Sequence, residues 1–201
     1  SIGTDSDRAL LLDFQATLET KPEKAIKLEK DALAQIENIT ADNARLVSNL
    51  HANLGGLYRI NGHPDLAREH MEKSISLLDQ FNLLHINDSI PQIANYAMFL
   101  TEQQEPERGI SELQKLSGII KEYHSDDCLD YAKVQETLGT IYLMTANLPQ
   151  AKTHFKRAFK IYEKIWADEP EMIEAKYQEI QELYPQIGFC IGKNLSGLLT
   201  K

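Results

Sequence analysis

The sequence predicts an all-α fold in which about four pairs of antiparallel helices stack on one another. Pro22, Pro64 and Pro106 stand at intervals of 42 residues, and Pro149 follows one residue late. A Leu-Gly-Tyr series also recurs after 84 residues, which is twice the same interval. A fixed period of this length indicates structural repeats that stack side by side. Only ten Gly and seven Pro interrupt the chain, so long stretches are free to form helices.

Each proline of the series predicts the start of a second helix in its pair. Proline fixes φ near the helical value and lacks the N–H that a first turn would leave unpaired. Behind each proline, apolar or small residues recur at spacings of three and four, which is the pattern of an amphipathic helix. The four segments are KPEKAIKLEKDALAQIE, HPDLAREHMEKSISLLD, EPERGISELQKLSGIIKE and LPQAKTHFKRAFKIYEK.

The Leu-Gly-Tyr series predicts the first helix of each pair. Its copies are Leu54, Gly55 and Tyr58; Tyr96, Ala97 and Leu100; and Leu138, Gly139 and Tyr142. Small residues recur in the second helices as well, at Ala25, Ala67, Gly109 and Ala151. Small residues on both helices let the two backbones approach closely, and a tight turn such as Asn61-Gly62-His63 joins them. One pair cannot bury its own apolar face, so the pairs are expected to stack.

The run NLGGLYRINGHPDLAREHMEKS resembles the tetratricopeptide repeat, and TLGTIYLMTANLPQAKTHFKRA repeats the same pattern. The signature slots hold Leu54, Gly55, Tyr58, Gly62, Ala67, Met71 and Ser74, and then Leu138, Gly139, Tyr142, Ala151, Phe155 and Ala158. The usual repeat has about 34 residues, and the longer period is similar to that of kinesin-light-chain-like and bacterial proteins of this family. The first copy departs most, with Asp13 and Ala16 in place of Gly and Tyr. The resemblance implies a right-handed α-α superhelix of about four helix pairs plus C-terminal capping helices.

The period also predicts where the repeats begin and end. We expect approximate repeats at residues 1–40, 41–84, 85–125 and 126–168, a half repeat at 169–185 and a capping segment at 186–201. Pro185 is expected to break the last repeat helix. The segment behind it is apolar with few charges, so we interpret it as a cap over the fourth pair, which solenoids need for solubility. An oligomer contact, or the start of a further region, is the alternative.

Composition excludes several classes of function. A net charge of −9 argues against nucleic-acid binding, which depends on clustered Lys and Arg. The basic runs KTHFKRAFK and KPEKAIKLEK are interpreted as solvated helix surface. Two isolated cysteines, Cys128 and Cys190, do not make a disulfide framework and favour a reducing, cytoplasmic location. No apolar run approaches a membrane span, and no basic segment precedes the short apolar run at the start, so neither a membrane helix nor a secretory signal is expected.

No residue pattern indicates an active site, a metal site or a cofactor. The six histidines are scattered, without HExxH or paired Cys/His spacing. Glu69-His70 and Asp126-Asp127-Cys128 contain metal-ligand types, but Ser125-Asp126-Asp127 is better interpreted as a helix N-cap followed by acidic first-turn residues. We therefore expect a protein that is not an enzyme.

A binding site is predicted from a ladder of polar residues on the first helices. Asn53 and Asn95 occupy the same slot 42 residues apart, and one amide offers both a donor and an acceptor to the backbone of an extended peptide. The resemblance implies that this slot faces the concave groove of the solenoid. The candidate peptide-binding residues are Asn49, Asn53, Arg59, Asn95, Lys133 and Thr137. A purely structural role, in which the two asparagines cap or bridge helices, is the alternative.

The function predicted from these features is a non-catalytic scaffold that recognises an extended protein or peptide segment in its groove. One alternative is the ligand-sensing part of a larger bacterial regulator or signalling protein. Another is a structural oligomerisation subunit with the apolar C-terminal segment as its contact. The sequence leaves the partner's identity and the oligomeric state open.

Overall fold

The structure is a computed structural model that describes residues 4–183 and 185, and this part of the chain contains α-helices and no strand. The helices are α1 (Asp5–Leu18), α2 (Pro22–Ala34), α3 (Ala44–Ile60), α4 (Pro64–Gln80), α5 (Ser89–Glu102), α6 (Pro106–Tyr123), α7 (Leu129–Met144), α8 (Leu148–Ile165) and α9 (Pro170–Leu183). The predicted all-α fold is confirmed.

The chain divides into two compact units, and the boundary lies within α5. The first unit ends at Phe99 and holds α1 to α4 with most of α5. The second unit begins at Leu100 and holds the end of α5 with α6 to α9. The predicted repeat limits stay a prediction, and the two units are described one at a time.

The second helices begin at equal steps along the chain. Residues 22, 64, 106 and 148 are their first residues, so the period of 42 holds throughout. Proline is the first residue of α2, α4 and α6, whereas in α8 Leu148 precedes Pro149. The late proline therefore lies one place further into its helix, and the turn before α8 is not longer.

The turn inside a helix pair has the same backbone conformation in three repeats. Gly62, Gln104 and Ala146, spaced 42 residues apart, have φ angles of 74°, 65° and 58°. In each case the next residue donates its N–H to a carbonyl five residues earlier: His63 to Tyr58 (2.9 Å), Glu105 to Leu100 (2.8 Å) and Asn147 to Tyr142 (2.7 Å). This is the Schellman pattern, which satisfies carbonyls at the end of the first helix and reverses the chain.

The small residues of the first helices lie where two backbones come close together. A Cβ atom at Gly55 would lie 2.6 Å from Met71 Cγ, and one at Gly139 would lie 2.9 Å from Phe155 Cδ2. Ala67 and Ala151, on the facing helices, are fully buried. The predicted close approach of the backbones is confirmed at Gly55, where the added Cβ would also lie 3.2 Å from Met71 N, whereas Gly139 makes room for the Phe155 ring. Any larger side chain at either glycine would have to displace its neighbour.

The end of the chain is only partly described. Helix α9 buries Ile173 and Ile180, and it ends at Leu183, ahead of Pro185. The predicted capping segment, residues 186–201, lies outside the described residues. Among the helices that are described, none is both long and apolar enough to cross a membrane.

The predicted N-cap of α7 is wrong. The helix begins at Leu129, and its N-cap is Cys128, whose Sγ accepts the Tyr131 N–H at 3.4 Å. Ser125 instead closes the preceding turn, where its hydroxyl accepts the Asp127 N–H at 3.0 Å. Asp127 forms an ion pair with Lys164 and lies outside the first turn of the helix.

Candidate functional site

Four of the six predicted site residues lie in the first unit and border two adjoining cavities. The larger cavity, about 330 Å³, is a groove between α1, α3 and α5. It is lined by Asp13, Asn49, Ala52, Asn53, Asp88, Pro91, Gln92 and Asn95. The smaller cavity, about 200 Å³, is lined by Ala52, Gly56, Arg59, Ile60, Met71, Ser74, Gln92 and Asn95. Because three residues belong to both linings, the two cavities form one polar surface along α3, which we call the amide groove.

Asn95 has the amide that is available for a ligand. Asn95 is exposed near the middle of α5, and its side chain forms no hydrogen bond with the residues that the structure describes. Asparagine is a poor helix former because its side chain competes with the backbone, and no helix end or turn accounts for it here. The amide therefore projects into the groove with both its donor and its acceptor unused.

The side-chain amide of Asn53 uses its N–H donors within the protein and leaves its oxygen free. Its Nδ2 donates to Asp13 Oδ1 at 2.9 Å and to Glu29 Oε1 at 3.1 Å, so it bridges α1, α2 and α3. Its carbonyl oxygen accepts no hydrogen bond within the described part of the chain and can receive an N–H from a ligand. The bridging role that we considered as the alternative is thus present at Asn53, together with a free acceptor.

Both the oxygen and the nitrogen of the Asn49 side-chain amide contact other residues of the protein. Its Oδ1 accepts from Gln92 Nε2 at 2.6 Å, and its Nδ2 lies 3.5 Å from Asp88 Oδ2. Asp88 in turn accepts from Arg45 Nε at 2.5 Å, and this hydrogen bond holds the pKa of the Asp88 carboxyl below its usual value. Asn49 and Asp88 therefore form a fixed wall of the groove, and a ligand would meet their outer edges only.

Gln92 joins three helices beneath the groove. Its Oε1 accepts from Ser48 Oγ at 2.9 Å and from Ser74 Oγ at 2.5 Å, while its Nε2 donates to Asn49. Gln92, Ser48 and Ser74 are all buried. A buried polar network whose members are satisfied makes its surroundings rigid, so α3, α4 and α5 present the groove residues in fixed positions.

Two carboxyls lie at the Asn53 amide, and one of them, Asp13, lines the groove. Glu29 on α2 is only 1% exposed, and its Oε1 accepts from the same Asn53 Nδ2 that donates to Asp13 Oδ1. Burial, followed by the negative charge of Asp13, raises the pKa of Glu29 to about 8. At neutral pH Glu29 therefore keeps its proton. The prediction that residues 21–30 form solvated surface is wrong at Glu29.

The other two predicted residues belong to the second unit. The Thr137 hydroxyl donates to the carbonyl of Lys133 at 3.0 Å, inside α7. Lys133 Nζ lies 3.8 Å from Asp130 Oδ1, and its side chain borders a cavity of about 260 Å³. That cavity is also lined by Leu129, Tyr162, Trp166, Met172, Ala175, Lys176 and Glu179. The roles predicted for Lys133 and Thr137 stay predictions.

Three of the six histidines contact a side chain on the facing helix of their pair. In the first unit His51 Nδ1 lies 2.9 Å from His70 Nδ1, and Tyr58 stacks on His70. In the second unit Gln135 Oε1 lies 2.9 Å from His154 Nδ1, in the same two slots of the repeat. These contacts connect the two helices of a pair. The described residues include no group of three or more His, Cys, Asp or Glu side chains that could hold a metal ion.

We expect His51→Gln to stabilise the protein in acid. Burial, followed by the nearby charge of His70, lowers the pKa of His51 to about 4. The unfolded chain, with a histidine pKa near 6.5, therefore takes up a proton first, and stability is lost as the pH falls from about 6.5 to 4. Glutamine does not titrate, and Gln135 shows that it can accept the same hydrogen bond.

The measurement is urea unfolding of both proteins at pH 8 and pH 5. At each pH the free energy of unfolding of the unchanged protein is subtracted from that of the variant. This difference should be about 1 to 2 kcal/mol larger at pH 5 than at pH 8. His63→Gln, at an exposed position on the turn after α3, is the matched control. An identical pH dependence for the His51 variant and the unchanged protein would contradict the expectation.

Comparison with protein families assigns the repeats. Residues 89–164, which run from the start of α5 almost to the end of α8, match the model described as tetratricopeptide repeat. These residues are tetratricopeptide repeats. The resemblance predicted from the sequence is confirmed, and repeats of this family are in general scaffolds for protein–protein interaction. A comparison with curated proteins gives no match.

Solved structures support the same fold. BtubC (BKLC) from P. vanneervenii matches with a TM-score of 0.66 and 20% sequence identity over 79% of this chain and 62% of that chain. The chain thus spans less than two thirds of the length of BtubC. A Podosopora anserina protein described as a kinesin light chain with nearly identical TPR-like repeats matches with a TM-score of 0.70 and 13% identity over 83% of this chain and 81% of that chain. At these identities the likeness is one of fold.

The sequence did not reveal Glu29 as part of the site. Asp13 is conspicuous in the sequence because it replaces the small residue of the first-helix signature. Glu29 lies 42 residues before Met71, so laying the repeats in register places a carboxyl where later copies are apolar. That comparison of slots is the signal that could have found the pair.

Proposed function

We propose that this protein is a non-catalytic scaffold that captures an extended segment of a partner protein in the amide groove. The observation that carries the proposal is the unused amide of Asn95 on a wall that the Gln92 network makes rigid. A side-chain amide can donate to a backbone C=O and accept from a backbone N–H at the same time. Such contacts bind a peptide by its main chain, independently of most of its sequence.

The spacing of the groove residues suits an extended chain. Adjacent packed helices lie roughly 8 to 10 Å apart, and an extended peptide rises about 3.3 Å per residue. Asn53 on α3 and Asn95 on α5 would therefore meet the ligand about three residues apart. Arg59 borders the adjoining cavity and would contact the same segment further along.

Asn95→Ala is expected to lower peptide capture about tenfold, because each hydrogen bond lost contributes about 0.5 to 1.5 kcal/mol and the amide makes two. The measurement is retention of a random nine-residue peptide library on the immobilised full chain. Asn38→Ala removes an exposed asparagine outside the groove and should retain the library as the unchanged protein does.

Asn53→Ala alone is a weaker test, because it also releases the Asp13–Glu29 pair. The double variant Asn53→Ala/Asn95→Ala should capture less than Asn95→Ala. Equal capture by the unchanged protein, the single variant and the double variant would overturn the proposal. The cytoplasmic location and the absence of nucleic-acid binding stay predictions from the sequence.

A further inference from the structure

The first repeat carries a carboxyl pair where later repeats carry a tight apolar contact. Asp13 occupies the slot of Gly55 and Gly139 in the first helix, and Glu29 occupies the slot of Met71 and Phe155 in the second. In those later repeats the glycine lies directly against the large apolar side chain. The fold thus accepts a small residue and a hydrocarbon at these two positions, and the first repeat replaces both with acids.

The replacement is costly for stability. Glu29 is 1% exposed, and its Oε2 has no hydrogen-bond partner among the residues described. Neither carboxyl forms an ion pair with a Lys or Arg in that part of the chain. Burying a carboxyl without a cation is unfavourable unless it keeps its proton or finds a partner. Departures from the local rules of a fold concentrate at functional sites, and one member of this pair, Asp13, lines the amide groove.

The lining of the larger cavity contains no cationic side chain. Its two acids differ in availability: Asp88 is already held by Arg45 and Asn49, whereas Asp13 receives a single hydrogen bond, from Asn53. Asp13 is therefore the carboxylate that a cation entering the groove can reach. Charge complementarity favours a basic side chain over an acidic or an aliphatic one.

We propose that Asp13, with the buried Glu29 beside it on the Asn53 amide, forms a cation subsite that receives a lysine or arginine side chain of the bound segment, and that Glu29 releases a proton when the subsite is filled. The ammonium or guanidinium of the ligand would donate to Asp13, and its positive charge would favour loss of the Glu29 proton to solvent. This inference rests on the proposed function, since it names the residue type that the amide groove selects.

The proton release has a physical basis in the surroundings of the pair. The charged groups around the larger cavity are Asp13 on α1, Glu29 on α2 and Asp88 ahead of α5, with Arg45 on α3 paired to Asp88. Because the pKa of Glu29 is raised to about 8, the free pair retains its proton at neutral pH. A cation beside Asp13 favours the doubly ionised pair. Binding of a basic peptide should therefore strengthen as the pH rises towards 8.5.

The experiment uses pools of nine-residue peptides whose central residue is Lys, Arg, norleucine or Glu and whose other positions are randomised. Retention on the immobilised full chain at pH 7.5 should be about tenfold higher for the Lys and Arg pools than for the norleucine pool, as expected of a charge-assisted hydrogen bond. Asp13→Asn should bring the four pools within about twofold of one another. Asp31→Asn, which removes an exposed acid on α2 outside the groove, should keep the preference.

The pH arm separates proton release from simple attraction. Retention of the Lys pool should rise several-fold between pH 6 and pH 8.5 for the unchanged protein and stay flat for Glu29→Gln, which keeps the shape but holds no titrating proton. Thermal unfolding of each variant confirms that it is folded at both pH values. A Lys pool that shows the same pH dependence with Glu29→Gln as with the unchanged protein would overturn the proton release.

The outcomes also separate this inference from the proposed function. If all four pools are retained equally and Asn95→Ala lowers all of them, the amide groove binds peptides and the cation subsite is wrong. If no pool depends on Asn95, the proposed function itself is wrong. Preferential retention of the Glu pool would overturn the subsite while leaving peptide capture intact.

Discussion

Phe155→Ala is expected to destabilise the second unit by about 3 to 5 kcal/mol, the range for truncating a buried aromatic side chain. Phe155 is fully buried on α8 and lies against Gly139, whose absent Cβ makes room for the ring. Removing the ring leaves a cavity between α7 and α8, beside a glycine that has no side chain to fill it. The measurement is denaturant unfolding followed by helical circular dichroism.

The chain offers a matched control at Phe14. This phenylalanine on α1 is 61% exposed, so Phe14→Ala removes the same atoms without creating a cavity. Its effect should stay within about 0.5 kcal/mol. A loss below about 1 kcal/mol at Phe155 would contradict the packing described here.

The helix pairs could be predicted because their signals are local. Proline at the start of a second helix and glycine at a close approach act through sterics that the sequence displays directly. The turns inside the pairs were only partly predictable. Gly62 favours the left-handed conformation, but Gln104 and Ala146 adopt it as well, because the hydrogen bonds that end the helix require it whatever the residue.

The groove was less predictable than the fold, because the position of a residue within the repeat does not determine which other side chains it contacts. The register of the repeats placed Asn95 in the groove lining together with Asn53. It could not show that Gln92 occupies Asn49 or that Asn53 bridges two acids, because these bonds join helices distant in sequence. The burial of Glu29 could not be predicted, because the residue lies in a run rich in lysines and its burial follows from packing between helices.

Glu29→Gln is expected to stabilise the protein in alkaline solution and to leave it almost unchanged in acid. The folded pKa of about 8 lies above the value of about 4.5 for an unperturbed glutamate. Between these values the folded state holds one proton more than the unfolded state. The stability of the unchanged protein therefore falls as the pH rises from about 4.5 to 8 and levels off above that. Glutamine resembles the protonated acid at every pH.

At pH 9 the variant should exceed the unchanged protein in free energy of unfolding by a few kcal/mol, at most about 5, and at pH 4 the two should agree closely. Urea unfolding across this range isolates the contribution of Glu29 as the difference between the curves, since the buried histidines affect both proteins alike. Glu23→Gln, at an exposed position on the same helix, is the control for loss of a charge. A constant difference from pH 4 to pH 9 would mean that folding does not raise the pKa of Glu29, and at neutral pH Glu29 could then hold no proton for a bound cation to displace.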